Sequence, residues 1–170
     1  EAMDAWFGGV KSMFLACLIL VLAWSLSSVT KELKTAEFLV GFLSERMSYH
    51  WLPAATFLIA CLISFATGSS WGTMAILYPL VIPLSWALHP VTDFILYASV
   101  AAVLAGAVFG DHCSPLNDTT VMSSMSAGCD HVDHVRTQLP YGLLGAIVSL
   151  AIGMIPAGFG FPPIYSLIIG

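Results

Sequence analysis

Charged side chains are scarce in this sequence: Asp, Glu, Lys and Arg make up 9% of its 170 residues, against roughly 25% in an ordinary soluble domain. Basic residues are outnumbered by acidic ones, five to ten, which excludes the positively charged surface that a nucleic-acid-binding protein needs. Cysteines are few as well, and the four present lie too far apart for a disulfide-rich secreted domain. Hydrophobic residues make up 58% of the chain, and the mean hydropathy is +0.90. The composition therefore predicts a membrane protein.

The apolar runs are long enough for helices and lack the alternation of membrane β-strands, so the predicted class is an all-α integral membrane protein. Residues 1–30 contain a first run, uncharged between Lys11 and Lys31, which predicts a transmembrane helix. Residues 31–50 mix apolar and charged side chains at three- and four-residue steps. This pattern is typical of an amphipathic helix that lies in the plane of the membrane interface.

A long apolar stretch from Trp51 to Leu88 follows. As one straight helix it would measure ~57 Å, nearly twice the hydrocarbon core, so the chain must turn back within it. Two glycines and four hydroxyl residues fall at its centre, in Thr67–Thr73. We expect a re-entrant hairpin with this seven-residue tip, with arms of ~20 Å at Pro53–Ala66 and Thr73–Ala87. Two prolines are expected to bend the second arm.

A broken helix is predicted next. An apolar helix from about Thr92 to Phe109 meets the polar segment Gly110–Asp118, and a helical pattern resumes at Thr119–Ala127. Irregular backbone at membrane depth persists only where protein buries it or where it lines a wet cavity, so this break should line a cavity. Together, residues 51–158 are predicted to form the ion-binding half of the chain.

The end of the chain is predicted to contain one more crossing. Residues 128–136 are the most polar stretch and are expected to form a surface turn before a last span at about Leu139–Ala157. Residues 159–170 are expected to be a loop and a truncated apolar tail. Because the sequence starts without Met and ends in apolar residues, we expect a fragment of a longer protein.

Two carboxylates flank the predicted break in opposite surroundings. Ser114 and Pro115 are suited to start a helix, which places Asp118 in its first turn, where the helix dipole favours the ionised form. Asp111 follows the end of the preceding helix, whose exposed carbonyls disfavour a carboxylate and favour uptake of a proton. Ionisable groups inside a membrane are costly and usually functional. One group that holds a cation and another that exchanges it for a proton fit a proton-coupled cation carrier.

Oxygen atoms around the break and the hairpin tip suit a hard cation such as Na⁺. The predicted ion-binding side chains are Asp111, Ser114, Asn117, Asp118, Thr119 and Thr120 at the break, and Thr67, Ser69, Ser70 and Thr73 at the tip. Na⁺ itself is expected at Asp111, Asn117 and Asp118, and no cofactor is expected beyond this transported ion.

Residues in and near these segments have further predicted roles, in proton exchange, in bending of the hairpin tip and in pH sensing. Asp111, Asp118 and His112 are predicted to exchange protons. Gly68 and Gly72 are predicted hinges of the hairpin tip. His131 and His134 are either pH sensors or plain surface residues of the polar turn.

A membrane metal-binding protein or metalloenzyme is an alternative class to the transporter. Its ligands would come from Asp111, His112, Cys113, Cys129, His131 and His134. Neither a Cys-x-x-Cys nor a His-Glu-x-x-His spacing occurs, so the transporter is favoured and no enzymatic activity is expected.

Two motifs give the sequence a family resemblance. Gly110–Thr120, GDHCSPLNDTT, and Cys129–Tyr141, CDHVDHVRTQLPY, closely resemble the NhaC family of Na⁺/H⁺ antiporters, and Thr67–Thr73 resembles another glycine and hydroxyl motif of that family. Asn117 departs from the small residue expected there. The resemblance implies Na⁺/H⁺ exchange in the inner (plasma) membrane, with lipid, Na⁺ and H⁺ as partners. Exchange of an organic anion of the malate or lactate type, coupled to Na⁺ and H⁺, stays open.

The resemblance also implies an architecture. Members of the ion transporter superfamily contain two inverted repeats and are commonly homodimers. Each repeat has a scaffold helix, an interfacial helix, a re-entrant hairpin, a discontinuous helix and further spans. Residues 1–30 would be the scaffold helix of one repeat. The chain is then the C-terminal part of such a protein, and an N-terminal repeat would be its missing partner.

Overall fold

The computed structural model describes residues 48–88 and 93–169 continuously, together with isolated positions before residue 48. The transmembrane helix predicted over residues 1–30 and nearly all of the amphipathic helix predicted over 31–50 therefore lie outside the described residues. In the described part, only helices and their connections occur, which confirms the all-α class. Four of the helical segments found there are long and apolar enough to cross a membrane.

The first two helices form a hairpin with a very short turn. A 3₁₀ turn, Tyr49–Trp51, leads into α1 (Leu52–Thr67), and α2 covers Ser70–Leu88. The turn between them contains only Gly68 and Ser69. Gly68 has a left-handed φ of 66°, and its N–H closes α1 on the carbonyl of Ser64 at 2.8 Å. The predicted seven-residue tip was wrong, because Ser70–Thr73 already belongs to α2.

The hairpin arms are also longer than predicted. At 1.5 Å per residue, α1 measures ~24 Å and α2 ~28 Å. Both are long and apolar enough to cross a membrane, so the re-entrant course stays a prediction. Pro79 and Pro83 lie inside α2, which continues through both as one helix.

The third helix, α3 (Asp93–Cys113), packs closely along α1. The two backbones approach at Gly106, where an added Cβ would lie 2.6 Å from the Ala60 Cβ. One turn further along, the Ser64 hydroxyl donates a hydrogen bond to the Ala107 carbonyl. Helix α2 covers this pair, and side chains from all three helices share one buried apolar cluster, Ala60, Leu77, Val81 and Val103.

A short break separates α3 from α4 (Asp118–Ser126). The break contains only Ser114–Asn117, because α3 runs on through Gly110, Asp111 and His112 to Cys113. The broken helix was therefore predicted correctly, but the prediction made its irregular part too long. Asp111 lies in the last turn of α3 rather than beyond its end.

The last span begins earlier than predicted. Helix α5 starts at His131 and extends to Val148, followed by a π-helical segment, Ser149–Met154, and by α6 (Ile155–Gly158). The predicted surface turn over residues 128–136 was therefore wrong for its second half. In the predicted tail of residues 159–170, Pro163–Ile169 forms a further helix, α7.

An aromatic clamp of His50, Trp51 and Phe159 joins the start of α1 to the end of α6. The His50 and Phe159 rings stack with centroids 5.0 Å apart, and the Trp51 ring meets Phe159 edge-on at 5.8 Å. His50 Nδ1 donates a hydrogen bond to the Gly158 carbonyl at 2.9 Å. The clamp thus closes the described bundle at the end opposite the α1–α2 turn.

Replacing Gly106 with Ala is expected to destabilise the fold, because the new methyl group would overlap Ala60 and the Phe57 carbonyl. Such overpacking costs about 1–3 kcal/mol. Gly145→Ala is the matched control, since no atom lies within 4 Å of its added Cβ. Thermal unfolding in detergent should show a lower midpoint for Gly106→Ala alone, and equal midpoints for the two variants would contradict the close α1–α3 approach.

Candidate functional site

The turn of the α1–α2 hairpin docks against the break between α3 and α4. Ser114 Oγ donates a hydrogen bond to the Phe65 carbonyl at 2.8 Å, and Asn117 Nδ2 donates one to the Gly68 carbonyl at 2.8 Å. Leu116 lies so close to Gly68 that a Cβ there would be 2.8 Å from the Leu116 carbonyl carbon. The break therefore supplies hydrogen-bond donors to two carbonyls at the hairpin turn, as backbone groups in a membrane require.

Asp111 occupies the centre of this junction. Its Oδ1 accepts hydrogen bonds from Asn117 Nδ2 at 2.7 Å and from the Ser70 N–H at 3.2 Å. Since Ser70 is the first residue of α2, its N–H is one of the free donors at the positive end of that helix. The sequence prediction placed only the negative end of α3 at Asp111, and the structure adds the positive end of α2.

The carbonyl group of Asp111 is engaged as well. It accepts hydrogen bonds from Thr120 Oγ1 at 2.8 Å and from Thr119 Oγ1 at 3.2 Å, so α4 is fastened to the last turn of α3. Asp111 Oδ2 accepts no hydrogen bond from any residue that the structure describes. Asp111 thus holds three helices together and retains one oxygen for a further ligand.

Asn117, and not Ser114, caps α4. Asn117 Oδ1 accepts a hydrogen bond from the Thr119 N–H at 2.7 Å and another from the Thr119 hydroxyl, and its carbonyl accepts from the Val121 N–H at 3.1 Å. Ser114 Oγ accepts only from the Leu116 N–H, inside the break, at 3.2 Å. The predicted helix start at Ser114 was therefore wrong. The position predicted for Asp118, in the first turn of α4, is confirmed for its backbone.

A cavity of about 290 Å³ opens beside Asp111. All of the side chains that line it are polar: Asp111, His112, Thr119, Thr120, Ser123, His134 and Gln138. Ordinary small-molecule pockets are lined mainly by apolar side chains. At about 30 Å³ per water molecule, this cavity can hold a small cation together with part of its hydration shell.

The structure places the predicted ion-binding residues that it describes in three positions: at the cavity, in the junction and at the hairpin tip. Asp111, Thr119 and Thr120 reach the cavity, as does the predicted proton-linked His112, whereas Ser114 and Asn117 hold the junction together. The tip residues do not line the cavity, and the side chains of Thr67, Ser69 and Thr73 form only local hydrogen bonds. Ser69 Oγ accepts from the Gly72 N–H at 3.1 Å, the Ser70 N–H reaches Asp111, and Thr73 and Thr67 bond to carbonyls one turn back at 2.8 Å. Ion binding by each of these residues stays a prediction.

Two cavity residues, Ser123 and Gln138, are absent from the predicted set, and His134 is in it only as a candidate pH sensor. His134 and Gln138 are four residues apart and therefore lie on one face of α5. A signal for this helix was present in the sequence, since Asp130 followed three residues later by Asp133 resembles a capping box. Asp130 Oδ1 indeed accepts from the Val132 and Asp133 N–H groups at 2.9 and 3.2 Å.

His131 contacts the break and is not a residue of a surface turn. Its Nε2 lies 2.8 Å from the Pro115 carbonyl and its Nδ1 lies 3.1 Å from Ser124 Oγ. A carbonyl only accepts, so Nε2 carries the hydrogen of the first bond. His131 thereby ties the first turn of α5 to the break and to α4. A pH-sensing role for His131 or His134 stays a prediction.

The metal-binding alternative has no ligand set in the described part of the chain. There, no three His, Cys, Asp or Glu side chains come close enough together to hold a metal ion. Zinc sites require three or four such ligands.

Comparison with known proteins gives the family. Residues 1–159 match the Na⁺/H⁺ antiporter family. The chain belongs to this family. Family membership and the apolar helices together make it a multi-pass membrane protein, and they point to a transporter rather than an enzyme. The NhaC resemblance of the two sequence motifs is thereby confirmed.

Individual relatives differ in what their names say they transport. An uncharacterized protein of Haemophilus influenzae is 38% identical over 95% of this chain and 30% of its own length. The Na⁺/H⁺ antiporter NhaC of Alkalihalophilus pseudofirmus is 32% identical over 85% of the chain and 30% of the relative. The malate-2H⁺/Na⁺-lactate antiporter of Bacillus subtilis is 34% identical over 61% of the chain and 22% of the relative. The chain thus spans less than a third of the length of these relatives, and no solved structure gives a significant match.

Gly68→Ala is expected to disrupt the junction, because the added Cβ would meet Leu116 and because Gly68 has a positive φ. Gly128→Ala is the matched control: its φ of 65° carries the same backbone strain, but no atom lies within 4 Å of the added Cβ. Unfolding midpoints in detergent should fall for both variants and clearly further for Gly68→Ala. A similar fall in both would mean that the hairpin turn does not dock on the break.

His131→Ala is expected to lower the free energy of unfolding by about 0.5–1.5 kcal/mol, because it removes the hydrogen bond to the Pro115 carbonyl. His134→Ala removes the same ring from the same helix but breaks no hydrogen bond between α5 and the break. Denaturant unfolding in micelles compares the two variants. A loss for His134→Ala as large as that for His131→Ala would argue against the role of His131 as a tie.

Proposed function

We propose that this chain is the C-terminal part of a secondary transporter that exchanges Na⁺ for H⁺ across the inner (plasma) membrane. It would act together with an N-terminal repeat of the same protein, in a homodimer. The observation that carries the proposal is Asp111, whose Oδ1 is held at the junction of α2, α3 and α4 while Asp111 also lines a cavity formed by polar residues. Membership of the Na⁺/H⁺ antiporter family and the similarity to an NhaC protein support it.

In the proposed cycle, the cation and the proton compete for Asp111. Asp111 Oδ2 and the hydroxyls of Thr119 and Thr120 offer oxygen ligands, which suit Na⁺ better than nitrogen or sulfur ligands do. Asp118, the first residue of α4, is the second carboxylate of the proposed exchange. A proton that binds Asp111 removes the negative charge that attracts the cation, and release of that proton restores it.

The junction couples this competition to the position of the hairpin. The Asp111 carboxylate holds the first N–H of α2 and the amide of Asn117, and Asn117 in turn holds the hairpin turn at Gly68. Hydrogen bonds to an ionised acceptor are stronger than those to a neutral one. Protonation of Asp111 therefore weakens the contacts that fasten the α2 end to the broken helix.

A second candidate, exchange of a small organic anion together with Na⁺ and H⁺, is favoured by the size and donors of the cavity. Its volume of about 290 Å³ exceeds what a bare cation needs, and His112, His134 and Gln138 offer hydrogen-bond donors for a carboxylate. The relative from Bacillus subtilis, by its name, exchanges malate and lactate.

Asp111→Asn and Asp118→Asn are each expected to abolish Na⁺-dependent proton movement, because neither amide can carry the charge or exchange the proton. The full-length protein that carries this sequence is reconstituted in vesicles, and the internal pH is followed after a Na⁺ pulse. Asp93→Asn, at the far end of α3, is the matched control and should retain wild-type exchange.

Near-normal exchange by Asp111→Asn would remove this residue from the mechanism. Wild-type protein that moves protons only when malate or lactate is supplied together with Na⁺ would favour the organic-anion exchanger. No proton movement under either condition would overturn both forms of the proposal.

A further inference from the structure

Gln138 lines the cavity beside Asp111 and comes from α5. It lies on α5, whereas Asp111 is on α3 and Thr119 and Thr120 are on α4. All four side chains line the same cavity. The last span therefore forms a wall of the site.

The closeness of α5 to the broken helix is supported by a second observation. Gly142 lies one turn after Gln138, and a Cβ added to it would overlap the sulfur of Cys113, the last residue of α3. Phe109 Cε2 lies 3.8 Å from the same point. Because α5 touches the end of α3 at Gly142, Gln138 comes level with the start of the break, where the cavity opens.

The amide of Gln138 is not committed to the protein. It makes no hydrogen bond to any residue that the structure describes, unlike Asn117, whose amide atoms both hold the junction. A half-buried amide without a protein partner is free to bind a ligand in the cavity that it lines. Its oxygen is a neutral, hard donor of the kind that coordinates Na⁺.

We propose that Gln138 is a ligand of the transported cation, so that the cation is bound between the broken helix and the last span. This inference rests on the proposed exchange of Na⁺. Gln138 adds an oxygen without adding a charge, and the cation then has ligands on α3, α4 and α5. His134, one turn earlier on the same face, offers a ring nitrogen instead, which Na⁺ prefers less.

Gln138→Leu, which keeps the approximate size of the side chain and removes its oxygen, is expected to raise the KM for Na⁺ about tenfold. The maximal rate at saturating Na⁺ should change little, since the junction is untouched. Gln138→Glu retains an oxygen at this position and should keep the KM within about threefold of wild type at alkaline pH. Initial rates of Na⁺-driven proton movement are measured over a range of Na⁺ concentrations with the full-length protein in vesicles.

Thr137→Val is the matched control, because Thr137 is the adjacent exposed residue and its hydroxyl bonds only to α5 carbonyls, those of Asp133 and His134. It should show the wild-type KM. If Gln138→Leu does not reach the membrane, Gln138→Met, which is unbranched and equally unable to coordinate Na⁺ through oxygen, takes its place with the same expectation. A wild-type KM for Gln138→Leu, or for Gln138→Met in its place, would overturn the role of Gln138 and leave Na⁺ exchange standing. Absence of Na⁺-driven movement in the wild-type protein would instead overturn the proposed function.

Discussion

Backbone polar groups inside a membrane must find partners within the protein, and the whole site depends on how two irregular segments meet this requirement. Ser114 and Asn117 in the break donate to the Phe65 and Gly68 carbonyls at the hairpin turn, and the Pro115 carbonyl of the break accepts from His131 on α5. Asn117 is central, because one amide caps α4, holds the turn and donates to Asp111. The carboxylate is thus positioned by the same contacts that make the irregular backbone tolerable in hydrocarbon.

The order of the apolar helices between residues 51 and 158 could be predicted from the sequence, because apolar length and the absence of charge decide membrane spans. The residues at which the helices begin and end could not be predicted in this way. Ser70 and Thr73 are residues typical of turns, yet they lie in α2, where Ser69 caps the helix and the Thr73 hydroxyl bonds back to the Ser69 carbonyl. A Ser, Thr or Gly near a turn satisfies either a loop or a helix start, so composition alone does not distinguish the two.

Asp111 at the junction could be singled out from the sequence, whereas the α5 side of the cavity could not. Asp111 stands out because a carboxylate in an apolar chain is costly. Gln138 is missed, and His134 is not placed at the cavity, because the polar run around them looks like a loop and only the cap at Asp130 shows that a helix starts there. The bond from Asn117 to Gly68 joins residues 49 positions apart, and no local pattern encodes such a pairing.

The aromatic clamp of His50, Trp51 and Phe159 has a consequence for the electrical behaviour of the site. Trp, which the clamp contributes as Trp51, is enriched where the hydrocarbon meets the head groups. With the clamp at that level, ~24 Å of α1 separates it from the turn, in a core ~30 Å thick. A charge at Asp111 would then lie most of the way across the core as measured from the clamp. The membrane voltage would act on the proposed cation mainly along the path from the clamp side to Asp111. The electrical barrier to reaching Asp111 would therefore differ between the two faces of the membrane.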